Sequence, residues 1–172
     1  SDALGGTIDA FSHELSRTDE NEWGGSILGR IATGNMEKSL NSSVRYSGNK
    51  GAFRTGFTLR DFGDITGGDT TGRQSPSGYS EIDYDIKGSL QLSPKTTLTA
   101  LFQNVRQKDV PVYHKIMLEN YAVNRTDPQK RRLAYVRLNQ QINSRFIKSA
   151  VVTASVQNTI EGRESRKNGS DI

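Results

Sequence analysis

The stretch YSEIDYDIKGSLQLSPKTTLTALFQNVRQ, residues 79–107, limits what this chain can fold into more than any other part of it. Ile82, Tyr84, Ile86, Leu90 and Leu92 fall on one parity, and Glu81, Asp83, Asp85, Lys87, Ser89 and Gln91 on the other. Successive side chains of a strand point to opposite sides of its sheet, so a strict two-residue period gives a strand with two unlike faces. Ser93-Pro94-Lys95-Thr96 then supplies turn chemistry, because proline presets φ and has no N–H for a ladder, and a second alternating segment starts at Thr97. The unit is a long β-hairpin. Its polar face carries three acids and a lysine on alternate residues, more charge than a core accepts without partners but suited to a wall with water behind it.

The same pattern recurs along the chain. Trp23, Ile27 and Ile31 are spaced by four, with Gly25 and Gly29 between them; helix and strand share that spacing, and the glycines and β-branched residues favour a strand over residues 23–33. After a turn at Gly34-Asn35, Leu40, Val44 and Tyr46 alternate with polar residues. A turn over residues 47–51 leads to Phe53, Thr55, Phe57 and Leu59, set against Arg54, Thr58 and Arg60. The hairpin supplies the fourth and fifth strands. Residues 132–139 and 147–158 give two more, the last with Ala150, Val152, Ala154 and Val156 on one face. In the fifth strand Leu98, Ala100 and Phe102 compete with Leu101 and Val105, and the faces of the fifth and sixth strands stay open. The four prolines, at 76, 94, 111 and 128, fall in segments read as turn or loop, as suits a residue excluded from interior strands. The expected fold is all-β, an antiparallel up-and-down meander of about seven strands.

Only 33% of the 172 residues are hydrophobic, which is thin for a conventional core. The glycine, serine and threonine nevertheless sit in alternating, aromatic-dotted strands and not in low-complexity tracts, and a β-barrel with a polar inner wall reconciles the two facts. The chain has no cysteine, which removes disulfides and thiolate metal sites. No apolar run reaches the length of a spanning helix, and the first residues lack the basic-then-apolar pattern of a signal peptide. A membrane β-strand needs only about 9–11 alternating residues, so that class of membrane protein stays open.

The connections add a second argument. If the first strand runs upward, the upper edge has connections at residues 34–37, 61–78 and 108–130 and the chain from Gly162 onward, whereas the lower edge has short turns at 47–51, 93–96 and 143–146. Short turns on one side and long loops on the other are the habit of an outer-membrane barrel. Trp23, Tyr46 and Phe53 fall at lower strand ends, where an aromatic girdle would lie. A soluble β-sandwich accounts equally for the alternation but not for the loop asymmetry.

Nothing in the sequence points to an enzyme. Glu81, Asp83 and Asp85 form a ladder along one strand with no histidine or serine partner near them, and read as a polar wall. The loop GDITGGDTTGRQSPSG lacks the lysine-serine/threonine ending and following helix of a phosphate loop, and reads as a mobile surface loop. His13 and His114 have no metal-site spacing, and no metal or cofactor is expected. Lys130-Arg131-Arg132 with Tyr135 reads as a solvated strand end and not as a nucleic-acid contact. Arg60, Asp61, Tyr79, Tyr113, His114 and Arg132 share the expected upper rim and are the candidate ligand-facing residues, with Tyr113-His114 placed in a long loop where a haem or chelate ligand could use them.

The opening SDALGGTI resembles the segment that closes the plug domain of TonB-dependent outer-membrane receptors, just before the barrel begins. GFTLRDFGDITGG, SGYSEIDYDIKG and QNVRQKDVPVYH are similar to early barrel strands and loops of that family, in the family's order, so the resemblance runs over nearly the whole chain. It implies a receptor barrel of about 22 strands, plugged from inside. Such a receptor imports ferric siderophores, haem, cobalamin or another scarce nutrient across the bacterial outer membrane. Its partners are membrane lipid, a small iron- or metal-chelate ligand, and the TonB–ExbB–ExbD energising complex, which it engages through its N-terminal part. On this resemblance residues 1–20 end the plug and lead into the barrel, and residues 21–172 form the N-terminal part of a transmembrane β-barrel. The chain is then an incomplete segment of the barrel, either a piece of a longer product or a truncated chain unable to close by itself. The competing expectation is a soluble β-rich binding or adhesion module.

Replacing Ile86 or Leu90 with arginine is expected to damage insertion into lipid vesicles far more than replacing Asp85 or Ser89, because a lipid-facing arginine near the midplane costs about 2–4 kcal/mol. Equal damage on both parities, measured by protease protection of the complete gene product, would refute the face assignment.

Overall fold

The computed structural model describes residues 15–34 and 36–169. The SDALGGTI segment, the short apolar run around residues 7–11 and His13 lie outside the described residues. Seven long strands follow one another as an antiparallel meander: β1 (Glu22–Ala32), β2 (Glu37–Ser47), β3 (Gly51–Phe62), β6 (Tyr79–Ser93), β7 (Thr96–Lys108), β9 (Tyr121–Gln141) and β10 (Ser149–Lys167). Between β3 and β6 a two-residue pair, β4 (Ile65–Thr66) and β5 (Arg73–Gln74), forms its own small sheet. Between β7 and β9 come β8 (Val110–Pro111), which pairs with β9, and one short helix, α1 (Tyr113–Leu118). Each long strand pairs with its neighbour in sequence order, and β1 and β10 form the two edges of an open sheet.

The ladder resolves the face of β7. Leu98, Ala100 and Phe102 stand opposite Leu90, Gly88 and Ile86, which puts them on the apolar face and leaves Leu101 and Val105 on the polar one. The cause is the tight Pro94-Lys95 connection, which locks the hairpin register, and in a strand a slip of one residue would exchange the faces. The lower connections are short, as expected, and in the first of them the Gly48 N–H donates to the Gly51 carbonyl at 2.9 Å.

The upper side corrects the reading of residues 108–130 as one loop and of Gly162 onward as another. β9 begins at Tyr121, eleven residues before Arg132, and β10 continues to Lys167, because each supplies the other's backbone partners over that length and β8 takes over from β7 along the far edge of β9. Two of the four prolines therefore lie within strands, Pro111 in β8 and Pro128 in β9. Pro128 is accommodated by a bulge: Gln129 pairs with Glu161 and Thr126 with Arg163, so Asp127 and Pro128 share the single residue Gly162 and no ladder N–H is asked of the proline. Gly162 is required there, since a Cβ would lie 2.4 Å from the Asp127 carbonyl oxygen.

Burial is inverted relative to a globular sheet. Ala52 is the one buried hydrophobic residue among those described, while Glu37, Thr58 and Glu81 on the polar face are each 9% exposed or less. On the other face Ile27, Ile31, Val152 and Val156 are 66–82% exposed. A water-soluble sheet shelters its apolar residues, and here it is the polar wall that is sheltered.

With β1 and β10 both unpaired along one edge, the isolated 172-residue polypeptide is expected to aggregate or self-associate after refolding without lipid. Light scattering with and without detergent measures this. A compact, cooperative, water-soluble monomer would overturn the expectation and favour the β-sandwich alternative.

Candidate functional site

The apolar face carries a continuous band whose edges can be read from the register. Its upper limit is Ile31 in β1, Leu40 in β2, Leu59 in β3, Ile82 in β6 and Ile160 in β10, but only Phe102 in β7 and Ala134 in β9, where polar Asn104 and Arg132 come next. The ladder row through Ile160 runs by way of Lys130, Arg106, Ile82, Leu59 and Leu40 to Gly29, so from β1 to β10 the upper edge drops by two residues, Ile31 to Gly29, over six strand-to-strand steps. The lower edge drops in the same sense: Trp23 shares a row with Ala154, and the band on β10 extends down to Ala150. With about 3.3 Å per residue and about 4.8 Å between strands, the band is inclined to the ladder rows by about 10–25°. Along β1 the run from Trp23 to Ile31 is about 26 Å long, or about 24 Å at the steeper end of that inclination.

At the lower edge Trp23, Tyr46 and Phe53 share one row and form a single aromatic cluster, with centroids 5.0 Å apart for Trp23–Tyr46 and 5.7 Å for Trp23–Phe53. The Tyr46 hydroxyl donates to Asn21 Oδ1 at 2.8 Å, so the ring is packed against apolar neighbours while its polar tip is satisfied below them.

The polar face is a cross-strand network. Arg60 donates to the carboxylates of Glu81 and Asp83, the second at 2.5 Å, and Gln107 Nε2 donates to Glu81 Oε2 at 2.5 Å. Lower down, Asn41 donates to Thr58 Oγ1 at 2.7 Å and Arg54 lies 3.8 Å from Asp85. Just above Arg60, Phe62 and Tyr79 stack at 4.6 Å between centroids. The upper end of this wall therefore combines an aromatic plate with a guanidinium held between two carboxylates. That arrangement can accept donors and flat groups from a ligand, and it contains no nucleophile set beside a base.

The six candidate ligand-facing residues do not form one cluster. Arg60 and Tyr79 lie together at the top of the polar face. Asp61 is on the opposite face beside Lys38 and Ser80, and Arg132 is on that face too, donating from Nε to Asn104 Oδ1 at 3.4 Å. Tyr113 and His114 open α1 instead of lying in an irregular loop. Sequence reasoning missed Asn124 and Arg125 on the upward extension of β9. Asn124 is fully buried and accepts from Arg163 Nη2 at 3.3 Å. Arg125 binds Asp109 at 2.6 Å and Glu164 at 2.7 Å, tying the start of β8 to β10. The signal that could have found them was Pro128, which marks the bulge where the face parity of β9 changes. Among the described residues no group of three or more His, Asp or Glu side chains is placed to hold a metal ion.

The loop between β3 and β6, expected to be mobile, is built around Asp64. Its Oδ1 accepts from the N–H of Ser77 at 2.8 Å and of Gly78 at 3.1 Å, and its Oδ2 from Arg73 Nε at 3.3 Å. The backbone N–H of Ser77, the Ser75 hydroxyl and the Gly78 N–H all favour the carboxylate and hold Asp64 at about 2.

Compared with protein-family models, with curated proteins and with solved structures, the chain has no match.

Because the pKa of Asp64 is depressed in the folded loop, the clasp is fully present above the ordinary value of 3.8 and is lost as pH falls through about 2. Amide exchange at Ser77 and Gly78 should accelerate over that window, and Asp64→Asn should show the fast exchange already at neutral pH. Exchange indifferent to both changes would show that the clasp does not order the loop.

Proposed function

We propose that this chain is part of the wall of an outer-membrane β-barrel receptor that takes up a scarce nutrient in a TonB-dependent manner. The observation that carries the reading is the inverted sheet, with an exposed apolar band on one face and a sheltered, hydrogen-bonded polar wall on the other. The inclination of the band supports it. Strands of a closed barrel tilt by about 35–45° from its axis, so an apolar belt lying level in a bilayer must cross the ladder obliquely. A height of about 24 Å along β1 is close to the roughly 25 Å apolar belt of such barrels. The aromatic cluster at the short-turn end and the long upper connections fit the same orientation, and the resemblance of four sequence segments to TonB-dependent receptors supplies the class of cargo.

In this reading the ligand passes the upper polar face, where Phe62, Tyr79, Arg60, Glu81 and Asp83 meet it, while the upper connections, including α1 with Tyr113 and His114, form the entrance. The ligand is a small iron- or metal-chelate bound through its organic groups.

Cells expressing the complete gene product should carry it in the outer-membrane fraction and should accumulate at least one labelled chelate. Accumulation should cease when the proton-motive force is collapsed or the energising complex is deleted. Recovery of the product as a soluble protein would overturn the membrane reading, and uptake independent of the energiser would overturn the TonB-dependent one.

A further inference from the structure

At the foot of the polar wall the register brings cations together. Gly24 of β1, Arg45 of β2, Arg54 of β3 and Lys87 of β6 occupy one ladder row, so three cationic residues are cross-strand neighbours. Like charges directly opposite each other destabilise a sheet, and negative charge set against such a row relieves it. Asp85 supplies part of that charge: it leans over Gly56, where a Cβ would lie 2.7 Å from its Oδ1, and its Oδ2 is 3.8 Å from Arg54 Nη1. Arg45 bends the other way, across β1, where a Cβ on Gly24 would meet its Nε at 2.6 Å. Both arginines line a cavity of about 130 Å³, together with Glu22, Ser47 and, from the chain that leads into β1, Ser16 and Thr18. The Thr18 hydroxyl donates to the Glu20 carbonyl at 2.7 Å, and Glu22 forms an ion pair with neither arginine.

We propose that this cavity binds a carboxylate, held by Arg45 and Arg54, with Lys87 adding charge from the next place in the row. A guanidinium presents parallel N–H donors that match the two oxygens of a carboxylate, which a lysine ammonium does not. The cavity is well below the roughly 300–1,000 Å³ of sites that enclose whole organic ligands, so it suits a small acid and not a metal chelate. The carboxylate has two sources. One is a small organic acid in solution. The other is the chain itself, since residues 1–14 carry Asp2, Asp9 and Glu14 and no lysine or arginine, and Glu14 adjoins Leu15, which also lines the cavity. Arg45 and Arg54 project from the polar face, so the occupant of the cavity is independent of what covers the apolar one.

The test is equilibrium dialysis of the complete gene product against radiolabelled succinate, in the wild type and in an Asp9→Asn, Glu14→Gln background. Saturable binding that falls at least about tenfold on adding Arg45→Gln with Arg54→Gln supports the site in either background. Binding already present in the wild type assigns the cavity to a solute, whereas binding that appears only after Asp9 and Glu14 are neutralised assigns it to the chain's own carboxylates. Lys50→Gln with Lys95→Gln, in the short turns at the same end, should leave binding unchanged. Circular dichroism checks the strand content of each variant. Should the glutamine pair not fold, Arg45→Lys with Arg54→Lys decides, since it keeps the charge and removes the guanidinium forks, and should weaken binding. Undiminished binding in the lysine pair overturns the proposal, as does absence of binding in both backgrounds, binding indifferent to the two arginines, or equal loss in the Lys50 and Lys95 variant, which would show a general attraction to positive charge.

Discussion

Backbone hydrogen bonding is the interaction on which this structure depends. A sheet whose one buried hydrophobic residue is an alanine has no interior to hold its strands together by side-chain burial. Cohesion comes instead from an antiparallel ladder that runs unbroken from β1 to β10 in chain order, in which each interior strand has partners on both sides. That condition suits a medium without water, where an unpaired N–H or carbonyl is costly and only closed or fully paired arrangements persist. It also explains why the long strands are so regular: a slip of one residue would carry every side chain of the apolar face into the polar wall.

The polar face adds definition to this ladder. Cross-strand pairs such as Asn41–Thr58 and Ser26–Ser43, at 2.7 and 2.9 Å, each contribute about 0.2–1 kcal/mol, and there are several along the wall. The Arg60 cluster at its upper end spans β3, β6 and β7, so that three strands meet at one side chain group. On the other face the glycines and alanines at 88, 100, 134 and 154 leave a smooth apolar hollow of about 620 Å³ bordered by Ile86, Phe102 and Val156. The two faces thus divide the work: one fixes neighbouring strands to each other, and the other presents a smooth, exposed apolar surface.

Alternation in the sequence carried most of the fold, because the period of a strand is a property of local geometry. The seven long strands, their order and the faces of five of them could be read directly, and the aromatic cluster of Trp23, Tyr46 and Phe53 followed from strand ends alone. Where reading failed, the cause was non-local. The face of β7 depended on the hairpin register and not on its own residues. Tyr121 to Arg131 read as loop because the charged run and Pro128 break the pattern, yet β10 and β8 supply the pairing that makes a strand of it. The rim residues were chosen by height along the chain, and height does not say which face a side chain takes; hence Asp61 and Arg132 fell on the apolar side while Arg60 and Tyr79 fell on the polar one.

The bulge at Asp127 and Pro128 divides β9 into two lengths with independent phase. Below it, even-numbered residues such as Lys130 and Ala134 belong to the apolar face; above it, Thr126 pairs with Arg163, an odd position continuous with the polar face. The bulge works as a phase joint. Residues gained or lost in the connection around α1 can shift the pairing of the upper length while the lower length, anchored to β7, keeps its register. The upper part of the wall can therefore vary in sequence and length, and the part that carries the apolar band need not change with it.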